Sequence, residues 1–218
     1  MSFYDELLDA TEDVRTEFLA IPAVARGMRG EIPRSAYLAF LTEAYHHVKH
    51  TVPLLMACGA ALPERLEWLR AAMGKYIEEE MGHQEWILND IRACGADAEA
   101  VRNGRPDAAT EVMVAYAYDT VRRGNPAGFL GMVFVLEGTS IRLAHQAACA
   151  IQSSLQLPER AFSYLNSHGS LDVGHMEFYS SLVNRLDDEA DRQAVLHGAR
   201  MFYRLYGDIF RGLPLDKH

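Results

Sequence analysis

The chain has 218 residues, 49% of them hydrophobic, enough to bury a sizeable core in one domain spanning residues 1–218. Thirty acidic against 21 basic residues give a formal net charge of −9 without a long basic run, which argues against nucleic acid or an anionic membrane surface as partner and leaves small molecules or proteins. Cys58, Cys94 and Cys149 are odd in number, far apart and without CxxC spacing, so they suggest neither a disulfide framework nor a structural zinc site, and reduced thiols suit a cytoplasmic setting.

The N-terminus mixes acids with its apolar residues and does not read as a signal peptide, and no unbroken apolar run reaches the ~18 residues of a membrane-spanning helix. From Phe3 to about Ile21 the apolar positions Leu7, Leu8, Val14, Phe18 and Leu19 recur at helical spacing, and Pro22 marks an end. Pro33 opens a second helix that continues to around Ala60, with a kink expected at Pro53. A third runs from Leu62-Pro63 to Gly95, and residues 96–108, polar and holding an Asn-Gly-Arg-Pro turn signal, read as a connection. Thr110 stands where the next helix would take its N-cap. Asn125-Pro126 then caps and opens the most apolar helix of the chain, whose glycines permit close packing. Pro158 starts a helix through Leu186, and residues from Asp187 to Leu213 form the last. Without strand-like alternation or an internal repeat, the expected class is all-α, a bundle of about seven helices.

Three groups of residues point to chemistry. In the stretch Ser167–His175, His168, Asp172 and His175 are spaced i, i+4, i+7, so at ~100° per residue they share one helical stripe and can either converge on a cation or face solvent. Upstream, Glu80 and His83 form a Glu-x-x-His pair, a spacing that sets a hard oxygen and an imidazole on the same side of one turn; Glu79 fits the same geometry at i, i+4. Glu137 interrupts the apolar run GMVFVLEGTSIRLA, so its carboxylate is expected to be buried and therefore protonated, paired with a cation such as Arg142, or bound to metal.

Together Glu80, His83, Glu137, His168, Asp172 and His175 supply three carboxylates and three histidines from three helices, a set that suits two metal ions. A carboxylate charge of about −3 would leave a di-ferrous pair near neutral, and mixed nitrogen and oxygen ligation with open positions is what iron needs to bind dioxygen. Zinc would prefer fewer oxygens, and magnesium would avoid imidazole. Glu43, His47 and His50 follow a further i, i+4, i+7 stripe that could bind substrate or move protons, or could face water. Tyr76, one heptad before His83, either approaches the site or packs with a satisfied hydroxyl, and Cys149 within AACAIQ reads as a packed core thiol.

Along nearly its whole length the chain resembles the haem-oxygenase-like di-iron oxidases and oxygenases, within the larger superfamily that holds TenA-type thiaminases and PqqC-type oxidases. The resemblance is most specific at His168-x3-Asp172-x2-His175, with Glu137 upstream and a Glu/His pair on the helix before it. It implies that Glu80 (or Glu79) and His83, then Glu137, then His168, Asp172 and His175 hold two iron ions per chain, in a seven-helix fold that is often dimeric, with a second iron site that is weak until substrate binds. The expected function is a cytoplasmic, homodimeric, non-haem di-iron enzyme that activates dioxygen to oxidise a small organic substrate. Two other readings stand beside it. One is a metal-independent TenA- or PqqC-type enzyme acting on a heterocycle, for which Tyr45, His46, His47 and His50 speak; the other is a helical protein that sequesters a small ligand or a partner and catalyses nothing.

Overall fold

A computed structural model of the chain describes residues 1–170 and 172–216, with residues 168–170, 172, 173 and 175 described by their backbone alone. The fold is all-α, and among the described residues there is no strand. The helices outnumber the seven expected, because several rods that look continuous in periodicity are interrupted. The first is two helices, α1 (Phe3–Ala10) and α2 (Glu12–Leu19): Thr11 between them leaves the helical region (φ −113°, ψ 6°), and its hydroxyl donates to the Leu7 carbonyl at 2.7 Å. Pro22 ends this stretch by opening α3 (Pro22–Gly27), at a first-turn position where its missing N–H costs nothing.

Pro33 precedes α4 (Arg34–Val48), and α5 follows at Thr51–Ala61. The kink expected at Pro53 is instead a break at Lys49 and His50. Restarting the helix at Thr51 puts Pro53 in a first turn, where its absent N–H has no carbonyl to reach. The third rod is also divided, into α6 (Glu67–Glu80) and α7 (His83–Ala93), and it ends as expected on Gly95 at φ +73°. The connection at 96–108 contains a short helix, α8 (Ala98–Asn103), capped by Asp97, which accepts from the N–H groups of Glu99 and Ala100. Next comes α9 (Ala108–Arg122), whose N-cap is Asp107; Thr110 is buried inside its first turn rather than capping it.

Asn125 accepts from the Ala127 N–H at 3.0 Å and so caps the short turn that leads into α10 (Phe129–Leu155), the longest helix at 27 residues. The remaining helices are α11 (Ser163–Ser170), α12 (Asp172–Val183) and α13 (Glu189–Arg211). The α10 rod, with the turn before it, is long and apolar enough to cross a membrane by length and composition, yet 56% of its most apolar window is buried inside the bundle, where α13, α11 and α12 pack along it. At the crossing with α13 the two backbones nearly touch. A Cβ on Gly131 would lie 2.3 Å from the Ala199 nitrogen, and one on Gly198 would lie 2.5 Å from the Gly128 carbonyl oxygen, so only glycine fits at either position.

The start of α11 is held from outside. Asp90 on α7 is fully buried; its carboxylate accepts from the Ser163 N–H at 3.0 Å, from the Ser163 hydroxyl, and from the Tyr164 N–H at 2.9 Å. Burial pushes the Asp90 carboxyl up from its ordinary pKa, and these hydrogen bonds pull it back. Replacing Asp90 with Ala would leave two helix N–H groups buried without an acceptor. It is expected to destabilise the protein by about 3 kcal/mol, read from the urea midpoint; a loss below about 1 kcal/mol would show that water satisfies these donors instead.

Candidate metal centre

A cleft of about 650 Å³, space at its mouth included, opens where α4, α5, α6, α10, α11 and α13 meet, and its polar lining includes His47, Tyr76, Glu80, Glu137, Tyr164 and Tyr206. Glu80 is the last residue of α6. The chain then turns through Met81 (φ −66°, ψ 119°) and Gly82, whose left-handed φ of +95° suits a residue without a Cβ, before α7 begins at His83. Glu80 and His83 therefore do not share a helical turn, as their spacing had suggested. The turn nonetheless brings them together, with His83 Nδ1 2.9 Å from Glu80 Oε2 and only 5% and 14% of the two side chains exposed. The His83 ring also stacks on Trp86, with centroids 4.1 Å apart. Glu79, which fitted the same spacing, lies 3.8 Å from Lys75 one turn back, and of the two carboxylates it is Glu80 that lines the cleft.

Glu137 enters the cleft from the middle of α10. The residue as a whole is half-buried, because the side of the helix carrying Leu136, Glu137 and Ser140 gives onto the cavity, while its carboxylate Oε2 is buried as its apolar neighbours had suggested. Arg142, considered as its partner, lines a different pocket with Tyr4 and Tyr203. Tyr76, one turn before Glu80, is 2% exposed, and its hydroxyl has no hydrogen-bond partner among the described residues, contrary to the packing role with a satisfied hydroxyl. Burial first, then the charge of Glu137 and further groups including Glu79 and Glu80, hold that phenol protonated well above its ordinary pKa. One neutral donor thus lies in the field of three carboxylates.

The stripe of Glu43, His47 and His50 comes apart because α4 stops at Val48. His47 lines the cleft, its ring edge-on to Tyr206 at 5.9 Å. Glu43 does not. Its carboxylate accepts from the Asp107 N–H at 3.1 and 3.3 Å, so it holds the start of α9; burial raises its pKa. His50 sits at the start of α5 with Nδ1 3.2 Å from the Tyr118 hydroxyl, and burial, then Lys49, lower its pKa. His46, 1% exposed and 3.2 Å from Lys49 Nζ, is driven to about 4 by burial, then by Lys49 and His50, and is neutral at pH 7.

The side chains of His168, Asp172 and His175 lie outside the described residues. Their backbones belong to α11 and α12, which both pack on α10, and α11 packs on α7 as well, so these two helices adjoin those that carry Glu137 and His83. Among the described residues no three of His, Cys, Asp or Glu form a metal cage. Glu80, His83 and Glu137 still fit an iron ion in donor type and burial: two hard oxygens line the cleft and an imidazole lies directly behind one of them. A second cavity, of about 720 Å³ and almost wholly apolar, adjoins the first and shares Ser140, Tyr164 and Tyr206 with it. Nothing in the periodicity announced this chamber, because its walls come from helices distant in sequence. Cys149, expected in the core, is exposed on α10.

Residues 38–207 match a haem-oxygenase-type family model described as iron-containing redox enzyme. Solved structures of similar fold include a domain of unknown function with a heme oxygenase-like fold from Shewanella denitrificans OS217, at 23% identity over 96% of this chain and 90% of that one, with a TM-score of 0.84. A TenA homolog from Pseudomonas syringae pv. tomato DC3000 aligns at 10% identity over 95% and 90% of the two chains, with a TM-score of 0.80. The heme oxygenase of Leptospira interrogans aligns at 16% identity over 98% and 100%, with a TM-score of 0.79. At such identities the likeness is one of fold alone. Among curated proteins no match to the sequence is found.

Proposed function

The chain belongs to the haem-oxygenase-like family of iron-containing redox enzymes, and from that premise we propose that it is a non-haem di-iron oxidase or oxygenase that uses dioxygen on a small organic substrate. The observation that carries this reading is the meeting of Glu80 and Glu137, from separate helices, on one cleft with His83 2.9 Å behind Glu80. His168, Asp172 and His175 complete the proposed ligand set for two iron ions per chain. Bound iron would supply dioxygen binding and electron transfer, which no side chain here can provide. Tyr76, kept protonated by its burial, offers its proton as a hydrogen bond toward the carboxylates. Ser140, Tyr164 and Tyr206 form the partition between cleft and apolar chamber, so they are placed to orient a substrate whose carbon skeleton fills the chamber while water is excluded.

A TenA-like thiol reaction has less support: burial pushes the Cys58 thiol up to about 12 and the Cys94 thiol, with Asp90 nearby, up to about 11, and neither they nor exposed Cys149 line the cleft. Three free thiols and an acidic chain fit the cytoplasmic setting we propose, with dioxygen and a small molecule rather than nucleic acid or membrane as partners, and a homodimer as the assembly. Anaerobic loading with ferrous iron should give about two ions per chain, and exposure to oxygen a transient optical band and a Mössbauer change. Less than one ion per chain with no spectral response would sink the proposal, and turnover in excess chelator would select the metal-independent reading.

A further inference from the structure

Around α10, at ~100° per residue, Phe134, Gly138, Ile141 and Arg142 face roughly opposite to the residues that line the cleft, and there they form part of a pocket of about 500 Å³. Five helices build it, with Tyr4 from α1, Arg15 from α2, Arg142 from α10, Met176 from α12 and Tyr203 from α13. Eight of the 18 arginines of this acidic chain have a carboxylate within 4 Å among the described residues. Arg15 and Arg142 have none among the described residues, although they share one pocket. Tyr4, Arg15, Arg142 and Tyr203 all line it, and the two positive charges act on both phenols.

We propose that this pocket is a binding site for a small oxyanion, a phosphate or carboxylate group, gripped by Arg15 and Arg142 with the Tyr4 and Tyr203 hydroxyls as further donors. Two guanidinium groups facing one cavity, with no carboxylate within 4 Å of either among the described residues, repel each other, and an anion between them relieves that repulsion. Their planar forks match the paired oxygens of a carboxylate or phosphate rather than a spherical halide. The grip is preset: Arg15 is anchored through Nη1 to the Leu8 carbonyl at 3.2 Å, Tyr203 is 4% exposed, and the Tyr4 backbone N–H is tied to Asn184 Oδ1 at 2.9 Å. Arg142 is exposed at the rim and can close on an incoming anion.

No residue lines both this pocket and the cleft, so the site stands independently of the iron chemistry. The test is calorimetric titration of the full chain, iron-free and iron-loaded, with inorganic phosphate and with succinate, against chloride at matched ionic strength. Saturable one-site binding of either anion, weakened about tenfold by Arg142→Gln and several-fold by Tyr4→Phe, is the expected result, and the better-bound anion identifies the ligand class. Absence of saturable binding, or binding that Arg142→Gln leaves unchanged, overturns the proposal. Because Arg142 is exposed and makes no ion pair among the described residues, its replacement leaves the fold in place for the measurement.

Discussion

Replacing Glu137 with Ala is expected to lower the iron content from about two ions per chain to about one or fewer and to cut dioxygen-dependent turnover at least about a hundredfold, equivalent to roughly 3 kcal/mol of lost transition-state stabilisation. Glu137 lines the cleft from the middle of α10, where no neighbouring carboxylate on that helix can take its place. Alanine is the best helix former, so the rod itself survives the exchange. Glu137→Gln keeps the shape and one oxygen acceptor while removing the charge, and an intermediate iron content is expected for it. Metal analysis of the two variants, with circular dichroism to confirm the fold, decides the matter. Unchanged stoichiometry in the alanine variant would remove Glu137 from the ligand set.

The largest expected effect on stability lies six residues earlier on the same helix. At Gly131 an added methyl would meet the Ala199 nitrogen at 2.3 Å, the Gly198 carbonyl carbon at 2.6 Å and the Val195 oxygen at 2.8 Å. All three are backbone atoms, so no rotamer change can make room, and α10 and α13 must separate along their whole contact. Gly131→Ala is expected to cost about 3 kcal/mol or more, at the top of the range for overpacking. Gly74→Ala, within α6 with nothing within 4 Å, is the matched control and should gain roughly 0.5–1 kcal/mol from helix propensity. Urea unfolding of both variants checks the pair; equal stabilities would mean that the crossing is looser than its backbone distances indicate.

What the residues disclosed in advance were the signals that act locally. Pro33, Gly95 and Asn125 mark helix ends because their own backbone chemistry does so, and the apolar run around Gly131 marked the central rod. The interruptions at Thr11, at Lys49–His50 and at Met81–Gly82 stayed hidden, because apolar periodicity carries on across them while the backbone does not. Those breaks matter most for the site. Glu80 and His83 were singled out for sharing a helical turn, yet they meet through a left-handed glycine; the stripe of Glu43, His47 and His50 assumed a continuous helix, and of the three only His47 faces the cleft. Glu43 serves as a cap for α9 and Asp90 for α11, roles set by which helix ends happen to abut them, and no spacing within one segment encodes that. Likewise Tyr76 and the partition of Ser140, Tyr164 and Tyr206 acquire meaning only once distant rods are packed together.

Gly82 makes a joint of the floor beneath Glu80 and His83, one side chain on each arm. Anything grasped by both would act as a rivet through that hinge, so filling of the pocket and stiffness of the two arms become a single property. An insertion beside Gly82 would keep every donor residue in the chain and still let the rivet work loose.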